Sequence, residues 1–303
     1  LSYLPGPGSE VGAYLVRHPE VDVVAFTGSS AVGLEMVREA AVMRPGQVGI
    51  KHVVAEMGGK NAIIVDDDAD LGAAADAVAA SAFGFSGQKC SACSRVVVLE
   101  SVRHDFLQQL LAATSRLTVG DPALPGTDLG PLINPQALEK VNGYIARGQE
   151  GAELLFAGTP SFEISASGYY VAPHIFTNVD VHSVLAQDEI FGPVLSVITV
   201  RDFTTALSVA NAVQYGLTGG VFTRTPSHVR LAEEEFRVGN LYINRGITGA
   251  MVGRQPFGGF KHSGTGSRTG GPDYLRNFME ARTITERTRL ASPLPAHPPR
   301  NAS

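Results

Sequence analysis

Short runs of β-branched and aromatic residues alternate along this chain with helical apolar periodicity, and that alternation limits its possible folds more than any other feature. The run at 23–27 (VVAFT) passes through Gly28-Ser29-Ser30 into a pattern that sets Val32, Met36 and Val37 along one helix face. Strands are expected at 52–55 and 61–65, the second ending in Asp66-Asp67-Asp68 ahead of an Ala-rich helix over 71–83. Further on, 96–99 reads as a strand, and Val102, Phe106, Leu110 and Leu111 are spaced as one helix face. Helices are expected over 135–148, 203–213 and 227–236, with strands at 154–156, 194–200, 217–223 and 241–244. Strands and helices alternating at these lengths predict an α/β protein with a largely parallel sheet.

Composition removes several classes of function. Of 303 residues 44% are hydrophobic and 17% charged, which is globular rather than disordered. The net charge of −5 provides no field for nucleic acid or an anionic membrane surface. No apolar run reaches the roughly 20 residues that span a bilayer; Asp76 interrupts the longest candidate. Two cysteines, Cys90 and Cys93, are too few for a disulfide scaffold or a four-thiolate zinc site, and suggest a reducing, cytoplasmic setting. The opening residues (LSYLPGPG) start at Leu1 and carry no secretory-signal features, so the chain is expected to be a fragment of a longer reading frame. The glycine-dense stretch 245–271 is expected to be a functional loop, and 291–303 a disordered Pro-rich tail.

Chemistry concentrates at a few positions. Cys90 lies in a glycine-rich turn between a helix and a strand, where Lys89 and Arg95 could enlarge its thiolate fraction. A buried inert thiol, or a redox pair with Cys93, are the competing readings. Glu56, at a junction between a strand and Gly58-Gly59-Lys60, could act as a general base in partial desolvation. The turn from Gly28 to Gly33 could hold a pyrophosphate on its amides, although its spacing is not G-x-G-x-x-G. For Asp66 to Asp68, capping of the following helix is favoured over a metal site, and no metal is expected.

Taken together, Phe26-Thr27-Gly28-Ser29, Glu56-Met57-Gly58-Gly59-Lys60, Gly87-Gln88-Lys89-Cys90, Glu189-Ile190-Phe191-Gly192-Pro193 and Pro256-Phe257-Gly258-Gly259 resemble the signature segments of the aldehyde dehydrogenase superfamily, in the family's order. The 34 positions from Glu56 to Cys90 match its usual interval. The resemblance implies a parallel-sheet catalytic domain with a partial Rossmann-type cofactor domain. It divides the chain into a remnant of the NAD-binding domain (1–57), a catalytic domain (58–262), a return segment with an oligomerisation strand near 282–287 (263–290) and the tail. It further implies Cys90 as nucleophile and Glu56 as general base, with NAD held by Thr27, Gly28, Ser29, Gly33, Glu189 and Phe191. The segments 87–95 and 244–253 resemble the branch that oxidises L-glutamate γ-semialdehyde in proline catabolism. There, Ser91 and the amides of Gly249 and Ala250 would bind the substrate carboxylate, and Phe257 its aliphatic stem.

By that resemblance roughly the first two-fifths of a family member are missing, including an oxyanion-hole Asn and an adenosine-binding segment. Three readings therefore stand side by side: a semialdehyde dehydrogenase that forms a homo-oligomer when full length, an inactive remnant or assembly subunit, and a cysteine-dependent hydrolase that needs no cofactor. A different ω-semialdehyde substrate is also left open.

Overall fold

The computed structural model describes residues 1–287. In chain order the elements are α1 (Ala13–Arg17), β1 (Val23–Thr27), α2 (Ser30–Ala40), β2 (His52–Glu56), β3 (Asn61–Val65), α3 (Leu71–Phe83), β4 (Cys93–Leu99), α4 (Arg103–Ser115) and α5 (Pro135–Gly151). They continue with β5 (Glu153–Ala157), α6 (Phe162–Ser167), β6 (His174–Thr177), α7 (Val184–Gln187), β7 (Val194–Val200), α8 (Phe203–Asn211), β8 (Tyr215–Gly216), β9 (Thr218–Phe222), α9 (Pro226–Glu235), β10 (Asn240–Ile243) and β11 (Phe260–Lys261).

The main sheet has seven strands in the order β10-β9-β3-β4-β7-β6-β5. Its central strands are apolar on both faces, as a parallel sheet covered by helices must be. Ala62 and Ile64 of β3, with Val97 and Leu99 of β4, join the core beneath α5, α7 and α8. Their neighbours Ile63, Val65, Val96 and Val98 join the opposite core, under α3 and α4. This period-two exchange is why the strands could be located from sequence.

Departures from expectation occur where a strand meets an edge. β5 pairs antiparallel to β6, while β6 runs parallel to β7. Residues 158–173 turn back at the same edge, closed by Gly158 N–H donating to Pro173 O at 2.9 Å, and do not cross a sheet face as a parallel connection requires. β6, only four residues long, was not foreseen. The strand expected at 217–223 forms as β9 and joins the main sheet, while the two-residue β8 just before it, also unforeseen, pairs antiparallel with β11.

β1 and β2 form a separate parallel pair, with Thr27 opposite Glu56. The far side of β2 is taken by 263–265, through Met57 N–H to Ser263 O at 2.8 Å and Thr265 N–H to Ala55 O at 2.8 Å. Residues 282–287, expected as an oligomerisation strand, are exposed and lie outside any strand in the single chain. A strand forms only on a partner ladder, and this segment meets none here. The expected disordered tail, 291–303, lies outside the described residues.

Candidate active site

Cys90 sits at the end of a contorted turn that leads from α3 into β4. Phe85, Ser86 and Gly87 take φ of 59°, 56° and 70° in succession, so two residues with side chains occupy the left-handed region. Such conformations persist only where surroundings over-determine them. Here Ser86 Oγ donates to Gly130 O at 2.7 Å, and Ile133 N–H donates to Gln88 Oε1 at 2.9 Å. A Cβ on Gly87 would collide with Gly192 O, so the Cys90 turn and the 189–193 segment pack backbone to backbone. The side chain of Asn61, the first residue of β3, locks the far end. Its Nδ2 donates to Cys90 O and Ala92 O, both at 2.8 Å, and its Oδ1 accepts from Thr218 N–H at 3.0 Å.

The Cys90 thiol is largely buried, and burial pushes its pKa up, with the Glu189 and Glu56 carboxylates adding to the rise. The backbone N–H groups of Ser91 and Cys90 oppose it. This corrects the expectation that Lys89 and Arg95 activate the thiol. Arg95 is buried further along β4, donating to Lys60 O, Val209 O and Ala210 O, and the Lys89 amine lies beside Gly84. Cys93 is fully buried, its pKa pushed up to about 12, with its thiol donating to Arg95 O, as an inert core thiol would.

Glu56 closes β2. Burial pushes its carboxyl up to about 7, against the Thr269 hydroxyl and the Arg268 charge, which pull it down. Thr269 Oγ1 donates to Oε1 at 3.3 Å, and Oε2 is buried without a partner. Glu189 accepts from Gly59 N–H at 2.9 Å, and burial raises its pKa as well. Both carboxylates thus bear on one thiol.

Thr27 faces Glu56 across the β1–β2 ladder, and Gly28 N–H donates to Glu56 O at 3.1 Å. Ser29 caps α2, its Oγ accepting from Val32 N–H at 3.4 Å. Gly33 lies against Met57, where a Cβ would strike the thioether. The helix N-terminus expected to hold an anion is thereby fixed to the strand that bears Glu56. Phe191 stands exposed with φ of 60°.

Among the expected substrate contacts, Ser91 is buried beside Cys90, its carbonyl accepting from Thr218 Oγ1 at 3.3 Å. Phe257 exchanges both backbone bonds with Thr269, at 2.9 and 2.7 Å, which brings it next to Glu56. Gly249 (φ 81°) and Ala250 belong to a loop anchored by Gly253 N–H to Gly270 O at 3.0 Å. No hydrogen bond among the described residues ties these two to Cys90.

Asn61, Arg268 and Thr269 were missed. Only Asn61 left a trace in the sequence, as an amide at the head of an otherwise apolar strand. The aspartates also differ from expectation. Asp70 caps α3, its Oδ1 accepting from Ala73 N–H at 3.1 Å. Asp66 instead accepts from Thr223 Oγ1 at 2.7 Å and lies 2.6 Å from His228 Nδ1, and Asp68 accepts from Thr223, Arg224 and Thr225.

Residues 1–284 match the Aldehyde dehydrogenase family, and the chain belongs to it. Its relatives include the 1-pyrroline-5-carboxylate dehydrogenases of Geobacillus thermodenitrificans (strain NG80-2) and Bacillus subtilis (strain 168), each 49% identical over 286 residues. The match takes in 94% of this chain and 55% of either relative, so the chain spans about half their length. Among solved structures, proline utilization A from Bdellovibrio bacteriovorus superposes with a TM-score of 0.92 at 49% identity, over 97% of this chain and 30% of that one. A Thermus 1-pyrroline-5-carboxylate dehydrogenase with bound NAD gives 0.88 at 50% identity, over 92% of this chain and 53% of that one. The neighbours share an α/β fold with a mostly parallel central sheet, as expected.

Proposed function

We propose that the protein oxidises L-glutamate γ-semialdehyde, formed from Δ1-pyrroline-5-carboxylate, to L-glutamate with NAD, as an aldehyde dehydrogenase of proline catabolism. The observation that carries the reading is the packing of the Cys90 turn against Gly59, whose N–H holds the Glu189 carboxylate, and against the 189–193 segment, with Glu56 bonded in turn to the head of α2.

Cys90 Sγ adds to the aldehyde carbon, giving a hemithioacetal. NAD, when bound, would supply the acceptor for the hydride leaving that carbon, while the hydroxyl proton is lost to solvent and a thioester is left on Cys90. Glu56 takes a proton from water, which attacks the thioester carbonyl, releases the acid and returns the thiol. A carboxylate pushed up to about 7 suits this task at neutral pH. The residues fit the cofactor: with the Gly28 amide taken by Glu56 O, Ser29 and the head of α2 would hold the pyrophosphate, Thr27, Gly28 and Gly33 shaping the turn beside it. Glu189 and exposed Phe191 suit the ribose and nicotinamide. Ser91, Gly249, Ala250 and Phe257 are assigned to the substrate. The domain limits at 57 and 262, a homo-oligomer and a cytoplasmic setting belong to the same proposal.

The test is reduction of NAD by the full-length enzyme with glutamate γ-semialdehyde. Cys90→Ala abolishes turnover, and Glu56→Gln slows thioester hydrolysis about 100-fold or more, so that acyl-enzyme accumulates. Full activity in Cys90→Ala removes the nucleophile, and failure to bind NAD favours the remnant reading.

A further inference from the structure

Glu56 is an under-supported base. Its strand is enclosed between β1 and residues 263–265, one carboxylate oxygen has a single neutral donor at 3.3 Å, and the other has none. A carboxyl so placed favours its protonated form, in which it cannot accept a proton from water. The two groups supporting its ionised form, Arg268 and Thr269, come from the return segment.

A Cβ on Gly258 would lie 2.7 Å from Glu56 Oε1 and 3.3 Å from Arg268 Nη1. Carboxylate and guanidinium are therefore within about 6 Å of each other across a gap that only glycine leaves open, at φ 157°. No direct ion pair joins them among the described residues. The guanidinium is itself held, with Nη1 donating to Gly259 O at 2.7 Å and the group lying 4.6 Å from the Phe260 ring centroid. An opposite charge at such a distance favours the ionised carboxylate without making contact with it. The Cys90 thiol is a further titratable group that feels the Glu56 charge.

We propose that Arg268 is a positioning residue whose fixed charge, acting across the Gly258 gap together with the Thr269 hydroxyl, keeps Glu56 ionised for attack of water on the Cys90 thioester. This rests on the dehydrogenase reading above. Arg268 touches neither substrate nor reacting atoms; it acts through Glu56.

The test is hydrolysis of p-nitrophenyl acetate by the full-length enzyme without NAD, followed as a function of pH, with the burst separating acylation of Cys90 from hydrolysis of the acyl-enzyme. Arg268→Gln is expected to move the ascending limb of the hydrolysis phase about one pH unit alkaline, giving about a tenfold loss below the limb and wild-type rates above it. Arg268→Lys, which keeps the charge, leaves the limb near its wild-type position. Thr269→Val shifts it in the same direction as Arg268→Gln with the arginine intact. An unmoved limb in Arg268→Gln, or a uniform loss at every pH in both arginine variants, overturns the proposal and leaves the dehydrogenase reading standing. Ester cleavage that persists in Cys90→Ala sinks both.

Discussion

At the scale of single residues the site is built by groups that do no chemistry. Asn61 binds the carbonyls of Cys90 and Ala92 and the amide of Thr218, so one side chain holds the Cys90 turn against β3 and β9. Asn61→Ala leaves two buried carbonyls and an amide unpaired. The expected cost is about 3 kcal/mol, read from urea denaturation. Alkylation of Cys90 by iodoacetamide accelerates as the turn loosens; unchanged stability and alkylation would show that Asn61 holds nothing. Cys90 and Glu56 stand out as candidates in the sequence because each lies in a short run of unusual residues. Arg268 and Thr269 do not, because their importance arises only when the chain returns to β2 from more than 200 positions away. The expected activation of Cys90 by Arg95 failed for a related reason. Nearness in sequence said nothing of direction, and β4 carries Arg95 to the carbonyls of Val209 and Ala210.

At the scale of elements, strands and helices were legible where periodicity was complete: β1, β3, α3 and β7 span 23–27, 61–65, 71–83 and 194–200 as expected. Two-residue β8 and β11 carry no period at all and exist only by pairing with each other. The aspartates after β3 show how a local signal can be assigned to the wrong neighbour. Asp70 alone caps α3, whereas Asp66 joins the end of β3 to β9 and α9 through Thr223 and His228. Asp70→Ala is therefore expected to cost about 1 kcal/mol. Asp66→Ala, which removes a fully buried acceptor from the Thr223 hydroxyl and His228, is expected to cost about 2–3 kcal/mol. Chemical denaturation of the two variants decides the order, and equal costs would mean that Asp66 also serves only the helix.

At the scale of the whole molecule, two buried ionisable groups near the site act on stability with opposite signs. Glu56, raised to about 7, binds a proton in the folded chain between about pH 4.5 and 7 that the unfolded chain has lost, so its contribution declines as pH rises through that window. Lys60 is the reverse case. Its amine is buried without a hydrogen-bond partner, and its pKa is lowered to about 7 chiefly by burial and then by Arg95. Between about pH 7 and 10.5 the unfolded chain holds a proton on Lys60 that the folded chain has released, so stability rises with pH there. Burying an amine without a partner opposes folding most strongly below pH 7, where it must be either charged or stripped of its proton. Lys60→Met, similar in shape and uncharged, is thus expected to be more stable than wild type at pH 6 and to lose that advantage progressively between about pH 7 and 10.5. The measurement is the urea midpoint of both proteins across that range. A constant difference would show that Lys60 keeps its proton when folded, held by Asp188 and Glu189, the two carboxylates that favour its charge. The lysine would then belong to the electrostatics of the Glu189 segment instead of opposing the fold.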